Sequence, residues 1–248
     1  GNGFHNKFLA PWGAVMDFIF MLTKGDKTIA DCLAVMDEIN GIELGHIGFK
    51  DIGVEKDTLR LLNKKIKDAG STSYLEVVST TREAAQNSIR LARELGVDRV
   101  CGGQEMAFAA KVLRDTGIEY LPFVGAPVGH PTKLEGTGER IAADCSDAVD
   151  SDCFGVDLLA YRAVDAEPLV LVEYARRALK GGYLLVAGSI DCAEQIEDIY
   201  HAGADGFTIG SAIFAGKFSK GRNQIQPQLT YILDTTNKLT DQPGLSTG

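Results

Sequence analysis

The chain has 248 residues, 45% of them hydrophobic, and a formal net charge of −9. That length suits a single barrel domain and that composition a large buried core, so a disordered chain is excluded. An acidic balance without any basic run argues against a nucleic-acid or anionic-membrane partner, and no apolar run is long enough to span a bilayer.

Eight strand-like runs alternate with helical ones. Residues 1–16 read as a lead-in helix closing a barrel floor. Phe18–Leu22 is predicted as the first strand, followed by the polar turn Thr23-Lys24-Gly25-Asp26 and a helix near Thr28–Ile39. His46–Phe49 is the second, ending in Lys50-Asp51-Ile52-Gly53, and its helix carries Leu59, Leu62 and Ile66 on one face. Tyr74–Val78 is the third, with Ser79-Thr80-Thr81 placed to cap a helix that runs to Leu95. Arg99–Cys101 is the fourth, and Tyr120–Val124 the fifth, before the long loop GAPVGHPTKLEG. Val156–Tyr161 is the sixth, reaching Arg162 and a helix after Pro168.

Tyr183–Val186 and Gly206–Ile209 are the seventh and eighth strands, joined by a helix with Ala193, Ile196, Ile199 and Ala202 at helical spacing. A short helix over Ala212–Phe218 and a final outer helix over Gln226–Leu239 follow, with a loose tail after Thr240. Repeated strand–helix units of this length predict parallel strands with right-handed crossovers, hence a single-domain α/β fold, a (β/α)8 TIM barrel spanning residues 1–248. No GxGxxG follows the first strand, which disfavours a dinucleotide fold.

The last two strands end in small-residue turns, Ala187-Gly188-Ser189 and Gly210-Ser211-Ala212. Such turns let a ligand approach bare backbone N–H groups, and the second leads into a helix start, which suits a phosphate. In barrels the loops after strands seven and eight are the usual phosphate site. The alternative is that Gly188 and Gly210 serve only as tight turns.

Catalytic groups in a barrel sit at the carboxyl ends of the strands. Lys50 and Asp51 end strand two, where Lys50 could be an electrophile or general acid and Asp51 a substrate contact, or the two could form a weak surface pair. Glu76 stands inside the apolar run YLEVVS, so an inward carboxylate there needs a partner or a raised pKa and suits a general base or acid; it could equally form a Glu–Lys pair that holds the barrel layers, or face outward under a helix. If Glu76 and Lys50 share the lumen, neighbouring strands bring them within pairing distance. Arg162 could fork onto a substrate anion, or pair with Asp165 or Glu167 at the surface. His130 lies in the long loop over the mouth and could carry a proton or act in a lid, although Gly125, Pro127, Gly129 and Pro131 would equally suit a structural loop. Lys24 and Lys133 read as solvated loop charges, and Cys101 as a buried inert thiol. His46, Asp17 and Asp157 are expected at the wrong face for chemistry, toward the barrel floor.

The segment VAGSIDCAEQIEDIYHAGADGFTIGSAIFAGKF resembles the ending of the ribulose-phosphate-binding barrels, a group that includes histidine- and tryptophan-biosynthesis barrels and hexulose-phosphate synthases. The resemblance implies that Gly188 and Ser189, then Gly210 and Ser211, hold a substrate phosphate. It covers the last quarter of the chain well and the rest as architecture. Upstream the chain departs from the subfamilies. The D-x-K-x-x-D of hexulose-phosphate synthases is replaced by GFKDIG, the histidine-pathway aspartates by Thr23-Lys24 and Gly125-Ala126-Pro127, and the histidine–aspartate metal set of pentulose-phosphate epimerases is absent.

The expectation is a cytoplasmic barrel enzyme that needs no metal or cofactor. It would isomerise, epimerise or cleave by aldol-type chemistry a small phosphorylated sugar or keto acid. Glu76, Lys50 and His130 are the candidate catalytic groups. Gly188, Ser189, Gly210, Ser211, Arg162 and Asp51 are the candidate substrate contacts, which would equally accept inorganic phosphate or sulfate. Alternatives are a non-catalytic phosphometabolite-binding or partner-regulated barrel, and a metal-dependent aldolase or epimerase using Glu76, His130 and Asp51. A homo-oligomer is compatible with all of these. Five scattered cysteines, odd in number and without CxxC spacing, fit a reducing compartment, and the opening GNGFHNKFLA lacks a secretory pattern.

Overall fold

The computed structural model describes residues 15–219 and 224–241. The lead-in helix expected over residues 1–16 and the tail expected after Thr240 fall, apart from residues 15, 16 and 241, outside the described residues. Eight parallel strands form the barrel: β1 (Asp17–Met21), β2 (His46–Lys50), β3 (Thr72–Glu76), β4 (Arg99–Cys101), β5 (Glu119–Leu121), β6 (Gly155–Leu158), β7 (Tyr183–Val186) and β8 (Gly206–Ile209). They run in the order β6-β7-β8-β1-β2-β3-β4-β5. The Phe123–Asp157 bridge, with Asp157 N–H donating to Pro122 O at 2.8 Å, closes the ring between β5 and β6. The chain is therefore a (β/α)8 barrel.

Nine helices occur among the described residues: α1 (Cys32–Glu38), α2 (Lys56–Asp68), α3 (Arg82–Leu95), α4 (Met106–Val112), α5 (Gly138–Asp150), α6 (Pro168–Leu179), α7 (Ala193–Ala202), α8 (Ser211–Phe214) and α9 (Ile225–Thr240). None is long and apolar enough to cross a membrane. Thr81 is the N-cap residue of α3 as expected, yet its side chain makes no cap hydrogen bond; its hydroxyl contacts Ser79 Oγ at 3.1 Å instead.

Side chains alternate across the strands and build two cores. Outward residues such as Phe20, Ile47, Leu75, Val100, Val156, Leu184 and Phe207 meet the helices, while Ile19, Met21, Tyr74, Cys101, Leu121, Tyr183 and Leu185 fill the lumen. Strands β3, β5 and β6 stop earlier than their apolar runs predict. The residues beyond them, Val77, Phe123, Val124, Leu159 and Ala160, are buried where loops fold over the barrel's upper rim, so their hydrophobicity reflects packing and not ladder pairing. The GAPVGHPTKLEG loop likewise holds a small hairpin, Ala126–Val128 against Lys133–Glu135.

The amino-terminal end of the barrel is plugged by a polar network. Tyr74 hydroxyl contacts His46 Nδ1 at 2.9 Å, Arg99 Nη1 donates to Tyr74 at 2.6 Å, and Tyr183 donates to Asp17 Oδ2 at 2.8 Å. The Arg99 guanidinium also lies over the rings of Phe154, Tyr183 and Tyr74, 4.4–5.4 Å from their centroids. His46 and Asp17 thus occupy the floor, as expected, and the lumen opens at the carboxyl ends of the strands.

Candidate active site

At that open end lies a cavity of about 350 Å³, within the range of small-ligand pockets. Its rim is formed by the two turns predicted from the sequence, with Gly188 and Ser189 after β7 and Gly210 and Ser211 after β8. At Gly188 a β-carbon would stand 2.6 Å from Arg162 Nε, and φ is +85°, so glycine lets the guanidinium lie against bare backbone. At Gly210 a β-carbon would meet Thr23 Oγ1 at 2.5 Å. Ser189 follows with φ +59°, an uncommon conformation for a side-chain-bearing residue and one that clusters at ligand clamps. Ser211 opens α8, where the first N–H groups have no intrahelical partner, and its hydroxyl accepts from Gly25 N–H at 3.1 Å. That bond ties the β8 turn to a two-stranded hairpin after β1, Thr23–Lys24 against Lys27–Thr28.

Beneath the turns is a buried charge cluster. Lys50, last in β2, and Glu76, last in β3, are register partners, which points both side chains into the lumen. Lys50 Nζ lies 3.3 Å from Glu76 Oε1 and 2.8 Å from Asp26 Oδ1. Asp26, at the tip of the β1 hairpin, also accepts both arms of the Arg162 fork, at 2.7 and 2.9 Å. Lys50, Glu76 and Asp26 are only 6–8% exposed, and Asp157 on β6 is fully buried. Thr28 Oγ1 donates to Lys50 O at 2.7 Å and accepts from its N–H, locking the hairpin onto the end of β2.

The ionisation states follow from these contacts. Burial pushes the Asp26 carboxyl up, but the Arg162 hydrogen bond and the Lys50 charge outweigh it and hold the group well below the usual carboxylate range. Burial would likewise neutralise Glu76 and Lys50. The Lys50 charge nonetheless keeps Glu76 ionised, and the Glu76 and Asp26 charges keep Lys50 an ammonium with its pKa raised. Asp157 differs. Burial and the neighbouring Glu76 charge drive its pKa far up, which favours the neutral acid over the carboxylate. Cys101 sits in the same layer, its thiol held protonated chiefly by burial.

The cavity thus brings together Glu76, Lys50, Arg162, Gly188, Ser189, Gly210 and Ser211. Arg162 is paired with Asp26, in place of the surface partners expected; Asp165 instead accepts from Gly136 N–H. Two candidates are not brought to the site. Asp51 points away from the cavity, accepting hydrogen bonds from Ser88 Oγ and from Val78 N–H at 3.1 Å, so it joins β2 to the β3–α3 connection. His130 is exposed at the tip of its hairpin and does not line the cavity. A metal cluster of Glu76, His130 and Asp51 is therefore not assembled, and no metal-suited group of three or more His, Cys, Asp or Glu occurs among the described residues.

Two acidic residues correct the expectations in the other direction. Asp157, assigned to the floor, is the third residue of β6, fully buried, and its carboxyl interacts electrostatically with Glu76. Its signal was the same as that of Glu76, a lone acid inside the apolar run FGVDLLA. Asp26 carried no such signal, because a Gly-Asp turn is ordinary hairpin chemistry.

No protein-family model matches the sequence, and no curated protein matches it either. Solved structures do resemble the fold. Thiamine phosphate pyrophosphorylase from Pyrococcus furiosus superposes with a TM-score of 0.60 at 10% identity, over 92% of this chain and 98% of that one. Orotidine 5′-phosphate decarboxylase from Pyrococcus horikoshii gives 0.60 at 16% identity, over 88% and 98%. A native KDPGal structure gives 0.63 at 11% identity, over 91% and 96%. At these identities the likeness is one of fold, the (β/α)8 barrel.

Proposed function

We propose that this barrel is an enzyme that moves a proton next to a carbonyl in a small phosphorylated sugar or keto acid, leading to isomerisation, epimerisation or aldol-type cleavage. The observation that carries the reading is the pairing of Glu76 and Lys50 at the base of a cavity whose rim is two glycine–serine turns. Backbone amides and hydroxyls at Gly188, Ser189, Gly210 and Ser211 hold the phosphate, so the net charge of −9 is no obstacle; the donors are local. The phosphorylated substrate in the name of the orotidine 5′-phosphate decarboxylase barrel supports this assignment.

With the phosphate fixed, the carbon chain extends down toward Glu76. Ionised and largely desolvated, Glu76 takes the proton α to the carbonyl, and Lys50, held as an ammonium, stabilises the enolate oxygen. A protonated Lys50 is a poor nucleophile, so the lysine acts here as a cation and not through a Schiff base. The protein acts on its substrate in the cytoplasm.

The test is solvent deuterium incorporation into phosphorylated ketoses, aldoses and keto acids, followed by proton NMR. Glu76→Gln is expected to abolish exchange while inorganic phosphate binds with nearly unchanged affinity; undiminished exchange removes Glu76 from the mechanism. One feature favours a binding-only barrel: Asp26 and Glu76 already neutralise Lys50 and Arg162. Phosphate binding with no exchange on any such substrate would establish that alternative.

A further inference from the structure

Most charged groups in the cluster have a partner of opposite charge, and Asp157 does not. Among the described residues its two buried carboxyl oxygens find no hydrogen-bond donor, and Glu76 Oε2, equally buried, finds none either. Two carboxylates in contact can only repel, and each unpaired oxygen leaves its desolvation uncompensated. A proton on Asp157 converts the same contact into an O–H···O⁻ bond that serves both residues, and such charge-assisted bonds are among the stronger ones.

We propose that Asp157 and Glu76 form a carboxylic acid–carboxylate pair sharing one proton, with Asp157 a positioning residue that orients Glu76 so that Oε1 faces Lys50 and Oε2 is bound from below. This rests on the reading of Glu76 as the base. It adds that the functional acid–base unit is the pair and titrates as such.

The surroundings favour this distribution. Asp157 is met by Glu76 from β3, by the Cys101 thiol from β4, and by the positive charges of Lys50 at the end of β2 and Arg162 after β6. Its register partner on β7 is the apolar Leu185, and the inward residue of β5 is Leu121. Glu76 lies beside Lys50 and lines the cavity, whereas Asp157 is sealed beneath it, so the negative charge resides on the upper carboxyl. During turnover the substrate proton goes to Glu76 Oε1. The Asp157 proton stays on the far side of the Glu76 carboxyl, and Glu76 returns its proton to the carbon skeleton, so protons balance without any solvent path through the floor.

Infrared spectroscopy of the carboxyl stretch, on the full unliganded chain in H2O and D2O, reads this directly. The wild type is expected to show one protonated carboxyl at pH 7, absent in Asp157→Asn. It should also be absent in Glu76→Gln, where the repelling charge is gone and Asp157 ionises toward Lys50 and Arg162. No protonated carboxyl at pH 7 in the wild type, or one that survives in Asp157→Asn, overturns the proposal. Should Asp157→Asn fail to fold, the wild-type titration and Glu76→Gln decide it by the same criteria. Because no substrate is involved, the outcome is separable from the proposed function. Deuterium exchange without the carboxyl signal sinks only the shared proton, and the signal without exchange sinks only the catalytic assignment.

Discussion

Asp26→Asn tests whether the charge cluster is a single unit. The substitution keeps the side-chain shape and one carbonyl acceptor, but removes the charge that faces Lys50 at 2.8 Å and Arg162 at 2.7 Å. Deleting one partner of a buried ion pair costs about 3–5 kcal/mol, because the remaining charge stays desolvated. Lys50 keeps Glu76 at 3.3 Å, and Arg162 is the more exposed cation and keeps a contact to Thr132 O at 3.4 Å, so the lower end applies, about 3 kcal/mol. For a chain of this length each kcal/mol moves the melting temperature by about 2–4 °C, giving a drop of about 6–12 °C at pH 7. Urea denaturation of both proteins from pH 7 down to pH 3 is the assay. The Asp26 carboxyl is lowered in the folded state, so its stabilisation is present above the unfolded value of 3.8 and lost as pH falls through the folded value. The gap between wild type and variant should therefore narrow below about pH 4. A gap under about 1 kcal/mol at pH 7, the range of an exposed pair, or one that does not change with pH, would refute the idea that Asp26 anchors two buried cations.

Asp157→Asn should behave in the opposite sense. A carboxyl whose folded pKa is raised loses stability as pH climbs above its ordinary value of 3.8, by up to about 1.4 kcal/mol per pH unit, so the variant gains on the wild type between pH 4 and 7 in the same urea titrations. Gly188→Ala forces a β-carbon to within 2.6 Å of Arg162 Nε at a φ of +85°; calorimetry should show inorganic phosphate binding weakened at least tenfold with the fold retained by circular dichroism. Gly155→Ala places a β-carbon 1.9 Å from the Tyr183 carbonyl oxygen inside the barrel, and should leave little soluble folded protein when expressed beside the wild type.

Much of the architecture was legible in the order of residues. Strands β4, β7 and β8 and helix α7 lie where the apolar runs and the helical spacing place them, because each run is short, bounded by turn residues and paired along its whole length. The two glycine–serine turns were readable for the same reason, since they follow β7 and β8 directly. The ends of β3, β5 and β6 were not, because burial under rim loops produces the same hydrophobicity as burial in a ladder.

Site membership divides along a similar line. Lys50 and Glu76 sit on paired strands, and their register alone brings them together, which a local reading can anticipate. Asp26, Arg162 and Asp157 could not be joined to them from spacing, because Asp26 and Arg162 are 136 positions apart and meet only when the barrel closes. Whether a lone acid in an apolar run faces solvent, floor or lumen depends on strand parity and on how far up the barrel it stands, and closure sets the second of these. That is why Glu76 was recognised and Asp157 was not, and why Asp51, one residue beyond Lys50, turned out to brace a helix instead of meeting a ligand.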